Sequence, residues 1–129
     1  KNDMAASEED KGSIMSILAT DLPLTNRQLK RILKRTGVGI ARTGGYTGHG
    51  SGEVMIGFTT ANRIPSGCEE ELLQLSAIPE HVINRAFLAA AEAEQEAILN
   101  SMTAAKQTRG RKGELYYSLA EYLNDRKPE

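Results

Sequence analysis

Gly12-Ser13-Ile14-Met15-Ser16-Ile17-Leu18-Ala19-Thr20-Asp21 and, further along, Gly50-Ser51-Gly52-Glu53-Val54-Met55-Ile56-Gly57-Phe58 are the two stretches whose reading decides the fold. Each sets small residues directly before an apolar run of the kind that fills a strand buried on both faces. Strands are therefore predicted over residues 13–20 and 53–60. If they lie side by side, Ser13, Ser51 and Glu53 meet at one end of the sheet.

Between the two runs the chain changes period. Asp21-Leu22-Pro23 ends the first strand, and Thr25-Asn26-Arg27-Gln28 has the spacing of a capping box, with Leu24 and Leu29 placed as a hydrophobic staple. A helix is predicted to begin at Asn26, with Leu29, Ile32, Leu33, Thr36 and Ile40 on one face. Arg27, Lys30, Arg31, Lys34 and Arg35 cover the remainder and read as a solvated face rather than an anion site. Gly37 and Gly39 each cost a helix roughly 1 kcal/mol relative to Ala, so they mark close packing against another backbone. The glycines from Gly44 to Gly52 then form a loop that can approach a ligand closely.

After the second strand, Glu71-Leu72-Leu73-Gln74-Leu75-Ser76 reads as a strand in preference to a short helix. From Pro79 to about Thr108 the chain contains no internal Gly or Pro, which predicts one long helix with a stripe of small residues at Val82, Ala86, Ala90, Ala93 and Ala97. Arg109-Gly110-Arg111-Lys112-Gly113 reads as a basic turn ending that helix, since cations suit helix C-termini. Leu115, Tyr116, Leu119, Tyr122 and Leu123 suggest a short amphipathic segment.

Composition narrows the function without choosing it. The chain has 129 residues, 40% hydrophobic and 26% charged, which suits a soluble single domain. A net charge of −1 argues against a dedicated nucleic-acid binder. No apolar stretch approaches the roughly 20 residues of a membrane-spanning helix. Cys68, the single cysteine, excludes an internal disulfide and reads as structural. His49, Glu53, Cys68 and His81 have no metal-ligand spacing, so neither metal nor cofactor is expected. The glycine loop runs helix, loop, strand and lacks the lysine of a P-loop. His49 and Glu53 stand where a nucleophile elbow around Ser51 requires glycine. Residues 1–12 are polar and charged and read as a linker or pre-cleavage segment, with 13–129 as the remainder of one domain continuing from something longer.

An isolated Gly-Ser is usually a turn before a strand, and Gly12-Ser13 gains weight only in combination. Gly12-Ser13-Ile14, Ala19-Thr20-Asp21-Leu22-Pro23-Leu24, Gln28-Leu29-Lys30-Arg31, Ala41-Arg42-Thr43-Gly44, Gly50-Ser51-Gly52-Glu53 and Phe58-Thr59-Thr60-Ala61-Asn62 occur in that order. So arranged, the chain resembles the L-aminopeptidase/D-esterase and β-aminopeptidase family, which shares the DOM fold with ornithine acetyltransferase. The match is specific over residues 12–62 and looser through the Ala-rich helix and Thr108–Gly110.

The resemblance implies an α/β, layered αββα architecture of the N-terminal-nucleophile-hydrolase type, with this chain as its C-terminal, nucleophile-bearing part. It implies a precursor that cleaves itself between Gly12 and Ser13, leaving Ser13 as the nucleophile with Ser51 and Glu53 beside it. It implies as partners a longer N-terminal chain from the same precursor and a peptide, amide or ester substrate with a free amino terminus, in a homo-oligomer of αβ units. From composition and charge a soluble protein with no membrane or nucleic-acid partner is expected, and the sequence does not choose between bacterial cytoplasm and periplasm. Two alternatives stay open: an acyltransferase of the ornithine acetyltransferase type, and a noncatalytic αβ subunit in which Ser13 and Ser51 only cap strands.

Overall fold

The computed structural model describes residues 12–50 and 52–124. β1 (Ile14–Thr20) and β2 (Glu53–Thr59) pair in parallel, with Ile14 opposite Glu53, Ile17 opposite Ile56 and Thr20 opposite Thr59. Parallel strands need a crossover, and the intervening chain supplies it as α1 (Asn26–Leu33) and α2 (Thr36–Arg42). A 3₁₀ turn at Glu80–Val82 leads into α3 (Ile83–Ala104). A short antiparallel pair, β3 (Thr108–Arg109) and β4 (Leu115–Tyr116), then precedes α4 (Leu119–Asn124). No helix among the described residues is long and apolar enough to cross a membrane.

α1 starts at the expected residue for the expected reason. The Gln28 backbone N–H donates to Thr25 Oγ1 over 3.2 Å, and the Thr25 N–H donates back to Gln28 Oε1 over 3.1 Å. Gln28 Nε2 also donates to the Ile78 carbonyl over 2.7 Å, tying the cap to the segment that leads into α3. Leu24 and Ile32 then bury against Ile83, Ala86 and Ala90, with Leu18, Leu29, Ile78 and Phe87 packed around them.

The predicted single helix after Asn26 is broken at Lys34-Arg35. The Arg35 N–H donates to the Ile32 carbonyl over 2.8 Å and the Thr36 hydroxyl donates to the Leu33 carbonyl over 2.8 Å. These tighter bonds take carbonyls that a continuous α-helix would offer four residues on. The break turns α2 onto α3, where a Cβ at Gly39 would lie 2.5 Å from the Ala91 carbonyl oxygen. Only glycine fits that contact, so the expectation of close backbone packing holds at Gly39. At Gly37 the nearest atom to such a Cβ is the Met55 methyl carbon at 3.8 Å, an ordinary contact.

Three further expectations are corrected. Residues 71–76 form no strand; Asn62 Oδ1 accepts from the Ser76 N–H (3.0 Å) and its Nδ2 donates to the Ser76 carbonyl (2.9 Å), so a side-chain amide takes the place of a strand neighbour. α3 stops at Ala104, short of Thr108, because Ala105 turns to φ −59, ψ 152 and Thr108 pairs with Tyr116. The basic turn is consequently the tip of the β3–β4 hairpin, closed by the Gly110 N–H donating to the Glu114 carbonyl over 2.7 Å. The basic face stays solvated as expected, with Arg27, Lys30, Lys34 and Arg35 exposed, while Arg27 and Arg31 pair with Glu80 and Arg31 and Arg35 lie over the Phe87 ring.

Among the described residues, the sheet is covered on one face only. Ser16 and Leu18 point toward the helices, whereas Met15 (74% exposed) and Ile17 (71%) point away, joined by half-exposed Val54, Ile56 and Phe58. The strands thus carry the apolar character of a doubly buried pair while the described residues bury one side.

Candidate active site

Parallel pairing brings the N-terminal ends of β1 and β2 together. Ser13 immediately precedes β1, and the Ile14 N–H donates to the Gly52 carbonyl over 3.2 Å. The Gly52 N–H in turn approaches Ser13 Oγ at 3.4 Å. Glu53, the first residue of β2, stands opposite Ile14 in the register. Ser13 and Glu53 therefore share one sheet end, as the two quoted stretches suggested. Ser51 lies outside the described residues, as do residues 1–11.

Ser13 and Glu53 open onto a cleft of about 170 Å³, whose other walls include Gly12, Ile14, Ile40, Tyr46 and Thr47. α2 contributes Ile40, and the glycine loop contributes Tyr46 and Thr47. Thr47 has φ 54, a left-handed conformation in which a β-branched residue costs on the order of 1–3 kcal/mol. A larger cavity, about 390 Å³, lies beyond the other end of β1 among Leu22, Ile78, Val82, Arg85, Ala86 and Ala89. Its lining holds neither nucleophile nor carboxylate, so the smaller cleft is the candidate site. Among the described residues no cluster of three His, Cys, Asp or Glu side chains could hold a metal ion. Cys68 is exposed, away from the cleft lining.

Behind the sheet end, Ser16 Oγ donates to Glu94 Oε1 on α3 over 2.6 Å. This contact was not foreseen from sequence; a buried serine in an otherwise apolar strand was its one signal. Tyr46 was likewise not singled out, because nothing local says which loop residue will face the cleft.

A model of peptidase family S58 matches residues 1–116. The chain belongs to peptidase family S58. It is 35% identical over 102 residues to a beta-peptidyl aminopeptidase of Sphingosinicella microcystinivorans, covering 79% of this chain and 26% of that relative. The PH0078 protein of Pyrococcus horikoshii OT3 superposes with a TM-score of 0.75 at 47% identity, over 84% of this chain and 31% of that one. The L-aminopeptidase D-Ala-esterase/amidase of Ochrobactrum anthropi gives a TM-score of 0.74 at 34% identity, over 84% of this chain and 32% of that one. That structure is described as a prototype of serine aminopeptidases and a variant of the Ntn-hydrolase fold. This S58 chain is accordingly α/β with an Ntn-hydrolase-type fold, and it spans about a quarter to a third of the length of these relatives.

Proposed function

We propose that this chain is the nucleophile-bearing part of a self-processing serine aminopeptidase that hydrolyses amides, esters or peptides with a free amino terminus. The observation that carries the reading is the parallel register that sets Ser13 beside Gly52 and opens Ser13 and Glu53 onto one cleft. Membership of family S58 and the names of its relatives support the same chemistry.

In the uncut chain, Ser13 Oγ attacks the Gly12 carbonyl carbon. The Gly12–Ser13 C–N bond breaks, the nitrogen takes the proton, and the ester so formed is opened by water to give a Gly12 carboxylate. Glycine offers no Cβ to block that approach. The reaction leaves Ser13 with an α-amino group whose ordinary pKa, about 7.7 to 8.0, suits a general base near neutrality. That amine takes the hydroxyl proton as Ser13 Oγ attacks the substrate carbonyl, the leaving amine or alcohol departs protonated, and water hydrolyses the acyl-enzyme. Ser51 relays or orients the proton, and Glu53 holds Ser51 and stabilises the ammonium form of the Ser13 amine.

The remaining part of the precursor covers the exposed face of β1 and β2. Met15, Ile17, Val54, Ile56 and Phe58 form an apolar surface of the kind that marks an interface, and the relatives are about three times as long as this chain. N-terminal sequencing of the purified complete polypeptide tests the proposal. A fragment beginning at Ser13 is the expected result, and a fully active, uncut polypeptide contradicts it.

A further inference from the structure

Tyr46 is the feature of the cleft that the proposed chemistry leaves unused. Its position is strongly determined by the backbone around it. α2 ends with the Gly44 N–H donating to the Ala41 carbonyl over 3.1 Å and the Gly45 N–H to the Ile40 carbonyl over 3.2 Å. Gly45 lies so close to Ile40 that a Cβ there would be 2.6 Å from Ile40 Cγ2. Thr47, on the other side, holds φ 54. A loop folded back this firmly delivers a tyrosine that is 70% exposed and lines the cleft together with Ser13 and Glu53. No packing among the described residues accounts for a large aromatic ring held in the open at that point, and amphipathic rings left exposed are typical of recognition surfaces.

The part of the cleft that this chain forms is small. Its roughly 170 Å³ is smaller than the roughly 300–1,000 Å³ of pockets that enclose drug-sized ligands, so it suits the side chain of one residue. Apolar contact comes from Ile40 and Tyr46, while Ser13 and Glu53 supply the polar end.

We propose that Tyr46, backed by Ile40, is the specificity wall of the subsite beside Ser13, packing against the aliphatic side chain of the substrate residue whose carbonyl Ser13 attacks. This rests on the aminopeptidase reading above. Discrimination comes from apolar contact: one methylene more or less in a hydrophobic pocket is worth about tenfold or more in selectivity, and loss of one wall of the subsite, with Ile40 still in place, is set at the low end of that scale.

The test uses the complete polypeptide as wild type, Tyr46→Ala, Tyr46→Phe and Ser13→Ala. Substrates are α- and β-aminoacyl p-nitroanilides bearing hydrogen, methyl or isobutyl as the side chain. Tyr46→Ala is expected to lower kcat/KM for the isobutyl substrate about tenfold, chiefly through KM, and to leave the unsubstituted one within about twofold. Tyr46→Phe, which keeps the ring, is expected to match wild type, and the thermal midpoints of both variants to stay unchanged. An equal loss on all substrates, no loss on any, a loss in Tyr46→Phe as large as in Tyr46→Ala, or a lowered midpoint with an unchanged substrate ranking overturns the proposal. Normal turnover by Ser13→Ala, or none by wild type, overturns the aminopeptidase reading and Tyr46 with it. An inactive Ser13→Ala beside an unchanged Tyr46→Ala overturns the Tyr46 assignment alone.

Discussion

Ser16 on β1 and Glu94 on α3, 78 positions apart in sequence, are joined by a 2.6 Å hydrogen bond from the serine hydroxyl to the carboxylate. The bond crosses the interface between sheet and long helix and fixes the depth of β1, the strand that Ser13 leads. Ser16→Ala in the complete polypeptide is expected to lower stability by about 1–2 kcal/mol, since a partly buried carboxylate loses its donor. Glu94→Gln, which retains an acceptor, is expected to cost less. Urea denaturation reads both, and an unchanged midpoint for Ser16→Ala contradicts the role.

Gly39→Ala sets two effects of opposite sign against each other. Alanine favours a helix by about 1 kcal/mol over glycine. Here, however, the new methyl group meets the Ala91 carbonyl oxygen at 2.5 Å and the Gln95 nitrogen at 2.9 Å, backbone atoms that cannot rotate aside, and overpacking costs about 1–3 kcal/mol. The clash should win, giving a lower thermal midpoint; a raised midpoint would show that α2 and α3 separate freely.

Glu80 makes stability depend on pH in a defined direction. The hydrogen bond from Arg31, with the charges of Arg31 and Arg27 and a bond from Gln28, holds its carboxyl below the ordinary range despite an opposing desolvation effect. A lowered folded-state pKa contributes stability above the unfolded value, near 4.3, and loses it as pH falls through the folded one. Glu80→Gln should therefore unfold slightly earlier than wild type at pH 7, with the two curves converging in acid. The effect is small because the pair is exposed and screened; a gap that widens in acid contradicts the assignment.

The local signals were legible and the long-range ones were not. Thr25 and Gln28 announce α1 because a capping box is written within four residues, and the Ile, Met and Leu runs announce β1 and β2. The break at Lys34-Arg35 depends on a hydroxyl of Thr36 choosing the Leu33 carbonyl, a competition that apolar spacing does not register. Residues 71–76 carry strand-like leucines, yet no strand lies beside them and Asn62 takes their backbone instead. At the candidate site, the meeting of Ser13 and Glu53 at one sheet end was legible from the strand-like runs that follow each of them. Tyr46 and the Ser16–Glu94 bond depend on tertiary packing, which places loop and helix against the sheet end.

The most direct measurement is intact mass and p-nitroanilide hydrolysis on the complete polypeptide as wild type, Ser13→Ala, Ser13→Cys and Glu53→Gln. Ser13→Ala removes the attacking oxygen for both reactions and is expected to remain uncut and inactive, while Ser13→Cys still cleaves, slowly. Glu53→Gln should keep the fold and lose turnover by about 10²- to 10⁴-fold, the scale of a missing acid–base partner. An uncut but normally active Ser13→Ala polypeptide would place the nucleophile elsewhere and contradict the account at its centre.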